Sequence, residues 1–494
     1  MEDWNVPRRA RRRQGLGQVV RPLAVALMLS TCVAGLTAKP ASAETLREAL
    51  AAAYRYNPRL DAERARLRAI DEEVSRANAG YRPNVSGSAD IGYERRNTGP
   101  PSIADGENHP KGYQVTASQN IFNGFRTLNG VREAEATVRA GRETLRSVEQ
   151  EVLLQAVTAY MDVVRDQALV RLRENNVNVL TRELRATQDR FSVGEVTRTD
   201  VAQAQARRAG AVSQLDLARA NLKTSRATYE RVVGTPPSNL QEQRPHAKLI
   251  PRTREDAIGA AMRESPAVVA ALYREQAARH NVDKIWGELL PSVNVDAAYQ
   301  QRFDPSRTTD ESEVGTVTGR LTVPLYQQGE VHARVRQSKH THVSRIQEIE
   351  QARTEARERV VQAWSQLDAA KAQLESDQVQ VNATRTALAG VREEERVGQR
   401  TLLDVLNAEQ EALNAEVQFA TTQRNLVVAS YNVLASMGRL NVADLGTNRE
   451  VYDPETHYHE VRRKWWGVSI TYPDGRRENH DFWNTQVEAH KPTK

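Results

Sequence analysis

The stretch "PNVSGSADIGYE", residues 83–94, alternates in character. Val85, Gly87, Ala89, Ile91 and Tyr93 are small or apolar, and Asn84, Ser86, Ser88, Asp90 and Glu94 between them are polar. A period of two is the pattern of a strand with one dry face and one wet face. The sequence on both sides reads instead as long helix rich in Ala and charge. A strand in that setting has little β-structure to pack on, so its dry face needs some other cover.

Three more stretches repeat the pattern. In 113–122, Tyr113, Val115, Ala117 and Ile121 alternate with Gln114, Thr116, Ser118 and Asn120. In 292–301, Val293, Val295, Ala297 and Tyr299 alternate with Asn294, Asp296, Ala298 and Gln300. In 315–325, Val317, Gly319, Leu321 and Val323 alternate with Thr316, Thr318, Arg320 and Thr322. A strand that spans a bilayer needs about 9–11 residues, and these strands (with 84–94) have that length. Aromatic residues cluster at their ends. Tyr93, Tyr113, Tyr299 and Phe303 fall at one rim and Tyr81, Phe122 and Tyr326 at the other, the arrangement of an aromatic girdle. A soluble sheet with one face on a helix would alternate equally well. If the strands do span a bilayer, four cannot close a barrel, because open edges are not tolerated in hydrocarbon. Several chains must then contribute: two give eight strands, three give twelve. The polar linkers 95–112 and 302–314 would emerge outside the cell and the helices would point into the periplasm.

The chain also repeats itself. "EALAAAYRYNPRL" (48–60) matches "DAIGAAMRESPAV" (256–268), and Pro83 matches Pro291 at the same offset. Beyond the strands, "VGEVTRTDVAQAQ" (193–205) matches "VGQRTLLDVLNAE" (397–409), and Gly234 matches Gly438. The repeat predicts two structural halves, 44–240 and 254–445, a linker at 241–253 and a tail at 446–494. Each half holds a helix (45–79, 254–288) broken or kinked at Asn57-Pro58 or Ser265-Pro266. Two strands follow, then a proline-free long helix of about 125–191 or 330–396, some 100 Å at ~1.5 Å per residue. Gly194 and Gly398 suit helix C-caps, and helices of about 200–233 and 404–437 return. The stripe Val152, Leu153, Ala156, Val157, Tyr160, Val163 and Val164 has the helical spacing of a core face. "TRTD" (197–200) and "TLLD" (401–404) read as capping boxes, a structural role for Asp200 and Asp404 that leaves a second role open.

Residues 1–43 join the basic run "RRARRR", the apolar run "LAVALMLSTCVAGL" and "ASA" at 41–43, the three parts of a secretory signal with cleavage expected after Ala43. An uncleaved anchor is the alternative. The leader accounts for +5 of the chain's formal +6, leaving no bulk basic charge for nucleic acid. Its Cys32 is the only cysteine, so the mature chain is stabilised by size or assembly rather than disulfides. "LSTC" makes a poor lipidation box.

Catalytic motifs are missing: the sequence contains no GxSxG, HExxH, P-loop or paired CxxC. An enzyme is not expected, nor a cofactor or metal. His340 and His342 diverge by about 200° on a helix and do not converge with His332. "HYH" (457–459) has ligand spacing only on a strand. In the tail, "KWWGVSITYPDGRREN" reads as a short hairpin around "PDG", and Trp465, Trp466 and Trp483 are candidates to dock on the outside of the helices.

The duplicated plan, the "VG…T..DV" turns at 193–201 and 397–405, and "NIFNGFRTLNGVREAEA" (120–136) together resemble the TolC family of outer-membrane channel proteins, over about 44–445. The resemblance implies a mainly α fold with transmembrane β. In it a homotrimer forms a 12-stranded β-barrel in the outer membrane that continues into a periplasmic α-helical barrel. It implies docking on a periplasmic adaptor (membrane fusion protein) and an inner-membrane ABC or RND transporter, for type I secretion or tripartite efflux. By position in the turn, Arg400, Asp200 and Asp404 correspond to the family's gate residues. Glu395 stands where the family has tyrosine and Asn407 where it has a second ring aspartate, so the latch is expected to use Arg400 with Glu395 or to be looser. Val193, Gly194, Val397 and Gly398 are the expected adaptor-docking tips. The rival readings are a soluble periplasmic coiled-coil adaptor or scaffold, and an enzyme on a helical stalk.

Overall fold

Proline decides where the first helices stop. α1 (Leu46–Tyr56) ends before Asn57-Pro58 and α2 (Pro58–Asn78) begins at the proline, whose missing N–H costs nothing at a first helical position. Asn57 fills the break. Its Oδ1 accepts the Arg59 N–H at 3.0 Å and its Nδ2 donates to the Val232 carbonyl at 2.9 Å. The second half repeats the proline break between α5 (Arg254–Glu264) and α6 (Pro266–Trp286), without a side-chain cap from Ser265. The computed structural model describes residues 44–97, 99–100, 102–103, 105–241, 250–443, 451–470 and 472. The leader with Cys32, most of the linker, the "PDG" turn and Trp483 lie outside the described residues.

The long helices are α3 (Arg126–Ser192) and α7 (Glu330–Arg396), each 67 residues. They turn at Gly194 (φ +82°) and Gly398 (φ +79°), a left-handed conformation that glycine adopts without steric cost. α4 (Arg198–Val233) and α8 (Leu402–Ser436) return along them. Their far ends close on the proline breaks. At Gly438 (φ +82°) a Cβ would stand 2.6 Å from the Glu264 carbonyl oxygen, so glycine is required there by both conformation and space.

One apolar core joins both halves at this level. Leu50 of α1, Leu153, Val157 and Tyr160 of α3, Tyr229 of α4, Val360 and Leu367 of α7 and Leu434 of α8 are all buried in it. Each such side chain contributes about 1.5–3 kcal/mol when fully buried. The Tyr160 hydroxyl lies 2.8 Å from the carbonyl oxygens of Glu44 and Gln241, and the Tyr229 hydroxyl donates to Glu44 Oε1 at 2.6 Å. These bonds fix the start of the described chain.

The strands are β1 (Asn84–Ile91), β2 (Glu94–Arg96), β3 (Gly106–Asn108), β4 (Lys111–Asn123), β5 (Ser292–Ser306) and β6 (Thr309–Thr322). β1-β4-β5-β6 form one antiparallel sheet, and β2 and β3 form a separate ribbon. The second hairpin runs further than alternation indicates. β5 and β6 continue through most of 302–314 to the Ser306–Thr309 pair. Beyond Gln301 both faces carry mostly polar side chains, Phe303 excepted, so the contrast that marks a half-buried strand is lost while the backbone pairing continues.

After α8 the tail forms α9 (Pro454–Val461) with Asp453 as its N-cap. The segment "HYH" is therefore helical, not a strand, because Asp453-Pro454 is a helix start. His457 Nδ1 lies 3.0 Å from the fully buried Asp71 of α2, whereas His459 faces Glu455 at 3.8 Å. The two rings do not share a ligand position.

Candidate functional site

Register sorts the sheet into two faces. Val85, Ala117, Ala297 and Val317 stand side by side across the four strands, and Gly87, Val115, Tyr299 and Gly315 form the next row. A bulge between Asn120 and Phe122 preserves the pattern, bringing Phe122, Val293 and Leu321 together. On the opposite face Asn84, Ser118, Asp296 and Thr318 make one row and Ser86, Thr116, Ala298 and Thr316 another. Hydroxyl contacts tie the polar face: Ser86 to Thr116 at 2.7 Å, and Ser118 to Asp296 at 2.7 Å. Among the described residues nothing covers the apolar face. Val85 is 63% exposed, Leu321 65% and Val317 78%.

The aromatic residues stand at the two ends of this surface. Tyr113 and Tyr299 approach at 6.4 Å between ring centroids near the distal end, where Phe303 is half-buried and Tyr93 exposed. Phe122 meets Phe125 edge-on at 5.1 Å at the helix-side end, where Tyr81 and Tyr326 are exposed.

At the opposite end of the molecule the two helical turns carry the expected gate residues. Both capping boxes form. Asp200 Oδ2 accepts the Thr197 N–H at 2.9 Å and hydroxyl at 2.8 Å, and Asp404 Oδ2 accepts the Thr401 N–H at 3.1 Å and hydroxyl at 2.8 Å. The Thr401 N–H, then its hydroxyl, hold the Asp404 carboxyl below its ordinary 3.8. A depressed folded value means the charge stabilises above pH 3.8 and that support disappears as pH falls through the folded value. Asp404→Asn should therefore melt earlier than wild type at neutral pH, and the gap should close in acid. Thermal unfolding across a pH series checks this.

α7 ends in three consecutive acids, Glu393-Glu394-Glu395, against the negative end of the helix dipole. Each has taken an arginine. Glu393 pairs with Arg396 at 2.7 Å, Glu394 with Arg400 at 2.8 Å, and Glu395 with Arg190 of α3 at 2.7 Å. The expected Arg400–Glu395 pair is therefore not formed within this chain. Successive residues point about 100° apart on a helix, so Glu394 faces the turn that carries Arg400 while Glu395 faces α3.

Arg190–Glu395 joins the tips of the two halves, and its charge-assisted hydrogen bond raises the Arg190 pKa further. Asn407 makes a second link, accepting from Arg207 of α4 at 2.8 Å. Leu180, Ala211 and Leu406 pack beneath as a small apolar cluster. Glu183 sits close by. Burial first, then the charges of Glu409 and Glu395, push its carboxyl up. Arg190, Arg207 and Glu183 were not singled out from sequence, although three acids at a helix C-terminus already called for outside cations. Val193 is 76% exposed and Val397 66%, and an added Cβ at Gly194 or Gly398 would meet nothing within 4 Å. Among the described residues no cluster of His, Cys, Asp or Glu could hold a metal, and no helix is long and apolar enough to cross a membrane.

A protein-family model described as outer membrane efflux protein matches residues 49–235 and 257–439. The outer membrane efflux protein BepC of Brucella suis biovar 1 (strain 1330) is 37% identical over 462 residues, 92% of this chain and 97% of BepC. The outer membrane protein TolC of Escherichia coli (strain K12) is 23% identical over 421 residues, 82% of this chain and 84% of TolC. Among solved structures, the Campylobacter jejuni CmeC outer membrane channel superposes with a TM-score of 0.73 at 15% identity, covering 85% of this chain and 89% of CmeC. At that identity the likeness is one of fold.

Proposed function

The chain belongs to the outer membrane efflux protein family, and on that premise we propose that three copies build one duct, gated at its periplasmic tip. It is an outer-membrane export channel with a helical periplasmic extension, not a soluble scaffold. The observation that calls for several copies is the four-stranded sheet, whose outer strands β1 and β6 each pair on one side only among the described residues. The count of three, rather than two, rests on the likeness to the TolC family. Lipid does not tolerate such edges, and four strands are too few to close. Pairing β6 of one copy with β1 of the next gives twelve strands from three copies. The Val85–Val317 face then meets outer-membrane lipid, inside the girdle of Tyr81, Tyr93, Tyr113, Phe122, Tyr299, Phe303 and Tyr326. The Asn84–Thr318 face lines the pore. Mass measurement of the detergent-extracted protein tests this: three chains per particle are expected, and a monomer or dimer contradicts it.

The gate reading rests on the tip. Arg190–Glu395 and Arg207–Asn407 hold the α3–α4 hairpin to the α7–α8 hairpin, and their release would let the hairpins separate. Asp200 and Asp404 fix the turns. Repeated three times around an axis, their charges would favour cations and repel anions. Arg400 stabilises the turn through Glu394. The exposed Val193 and Val397, each beside an unobstructed glycine, are the surfaces we assign to a periplasmic adaptor, with an inner-membrane ABC or RND transporter behind it. Cargo moves through the duct without a catalytic step in this chain, and the energy comes from the inner-membrane partner.

A further inference from the structure

Residues 462–470 lie outside the duplicated halves, yet they are fixed at one place, where α2 hands over to β1. Arg82 Nη1 donates to the Lys464 carbonyl at 2.7 Å, and its guanidinium lies 5.0 Å from the Trp465 ring centroid. Ser75 and Asn78 reach the carbonyls of Lys464 and Arg462, each at 3.4 Å. Upstream, Arg462 pairs with Glu135 of α3 at 2.9 Å, and His457 holds Asp71. Arg82 is two residues from Asn84, the first residue of β1, so these contacts sit level with the periplasmic rim of the sheet.

Held there, the tail turns apolar groups outward. Trp465 is 69% exposed, Trp466 90%, Val468 67% and Ile470 50%. The residues just before them are basic: Arg462, Arg463 and Lys464. An exposed apolar patch of this kind marks an interaction surface. Tyr81 (53% exposed) lies on the same rim, which places the patch beside the membrane-facing band.

The repeat shows what the tail adds. The offset of 208 that pairs Pro83 with Pro291 also pairs Asn78 with Trp286 and Arg82 with Leu290. The second half thus supplies its own tryptophan and leucine to the rim. The first half has polar residues there, and those are the ones the tail covers.

We propose that residues 462–470 are a lipid-interface anchor. Trp465 and Trp466 sit at headgroup level in the periplasmic leaflet, and Arg463 faces anionic phospholipid. Indole rings favour that level because the ring is apolar and its N–H is polar, and neighbouring basic side chains add attraction to anionic headgroups. Continuity with the rim favours lipid over a protein as the occupant.

The test uses the full-length protein reconstituted into phosphatidylcholine vesicles whose acyl chains carry bromine near the headgroup, with or without phosphatidylglycerol. Tryptophan emission is compared between wild type and Trp465→Phe/Trp466→Phe, after both show the same single-channel conductance. The double variant should lose roughly half of the bromine-dependent quenching, because two interfacial indoles are removed. Arg463→Gln should remove the extra quenching that phosphatidylglycerol brings. Unchanged quenching in the tryptophan variant overturns the proposal, because the pair then faces water or protein.

Discussion

Val317→Arg should block insertion of the protein into the outer membrane, whereas Thr318→Arg, one residue further on, should leave insertion intact. Val317 lies in the row with Val85, Ala117 and Ala297 and is 78% exposed. An arginine on the lipid face near the midplane costs about 2–4 kcal/mol, and a trimer carries the cost three times. Thr318 belongs to the opposite row and pairs with Asp296. There an arginine enters a wet pore beside a carboxylate, and its effect should be a shift of ion selectivity towards anions. Outer-membrane fractionation and the yield of detergent-resistant oligomer read the first effect, and reversal potentials in planar bilayers read the second. Equal insertion of both variants would show that the apolar face does not meet lipid.

The second large effect is expected at the tip. Arg190→Glu places like charges against Glu395 and should raise single-channel conductance, as should Glu395→Arg. The combined swap should return it towards the closed value. Arg190 and Glu395 keep 40% and 18% side-chain exposure, so solvent screens the pair in part. An exposed pair contributes about 1 kcal/mol at most, so three copies give about 3 kcal/mol, which moves a closed–open equilibrium by about 100-fold. Arg400→Ala should have a smaller effect, since Arg400 bonds Glu394 across its own turn. Conductance recorded for wild type and the four variants in one lipid separates the outcomes. If both single variants stay closed, Arg190–Glu395 is not the latch.

Much of the architecture is legible in the residues. Alternation at 84–94 marks a two-faced strand, although β1 itself ends at Ile91 and Glu94 opens the separate β2–β3 ribbon. The Asn57-Pro58 and Ser265-Pro266 pairs mark the helix breaks, and the repeat supplies the second copy of both. The hairpin 302–314 is less legible, because apart from Phe303 and Val314 its faces are mostly polar and alternation has little to contrast. The tail helix is signalled by Asp453-Pro454, whereas the alternate spacing of His457 and His459 would suit a strand equally.

The gate shows the division most clearly. Sequence places Asp200 and Asp404 by their capping boxes, since a cap is made with residues three positions away. It also places an acidic run at the end of α7, where the dipole is unfavourable to it. It does not say which arginine each acid takes. Glu395 and Arg190 are 205 residues apart, and only the packing of α3 against α8, the return partner of α7, brings them together. The rim is similar: "RRKWW" is visible as a basic and aromatic run, but its place beside Arg82 depends on contacts 382 residues apart in the chain. Local periodicity and capping are properties of neighbouring residues, and the sequence by itself determined them. Which charges meet, and which apolar groups stay uncovered, depends on distances between remote segments, and only the tertiary structure decided that.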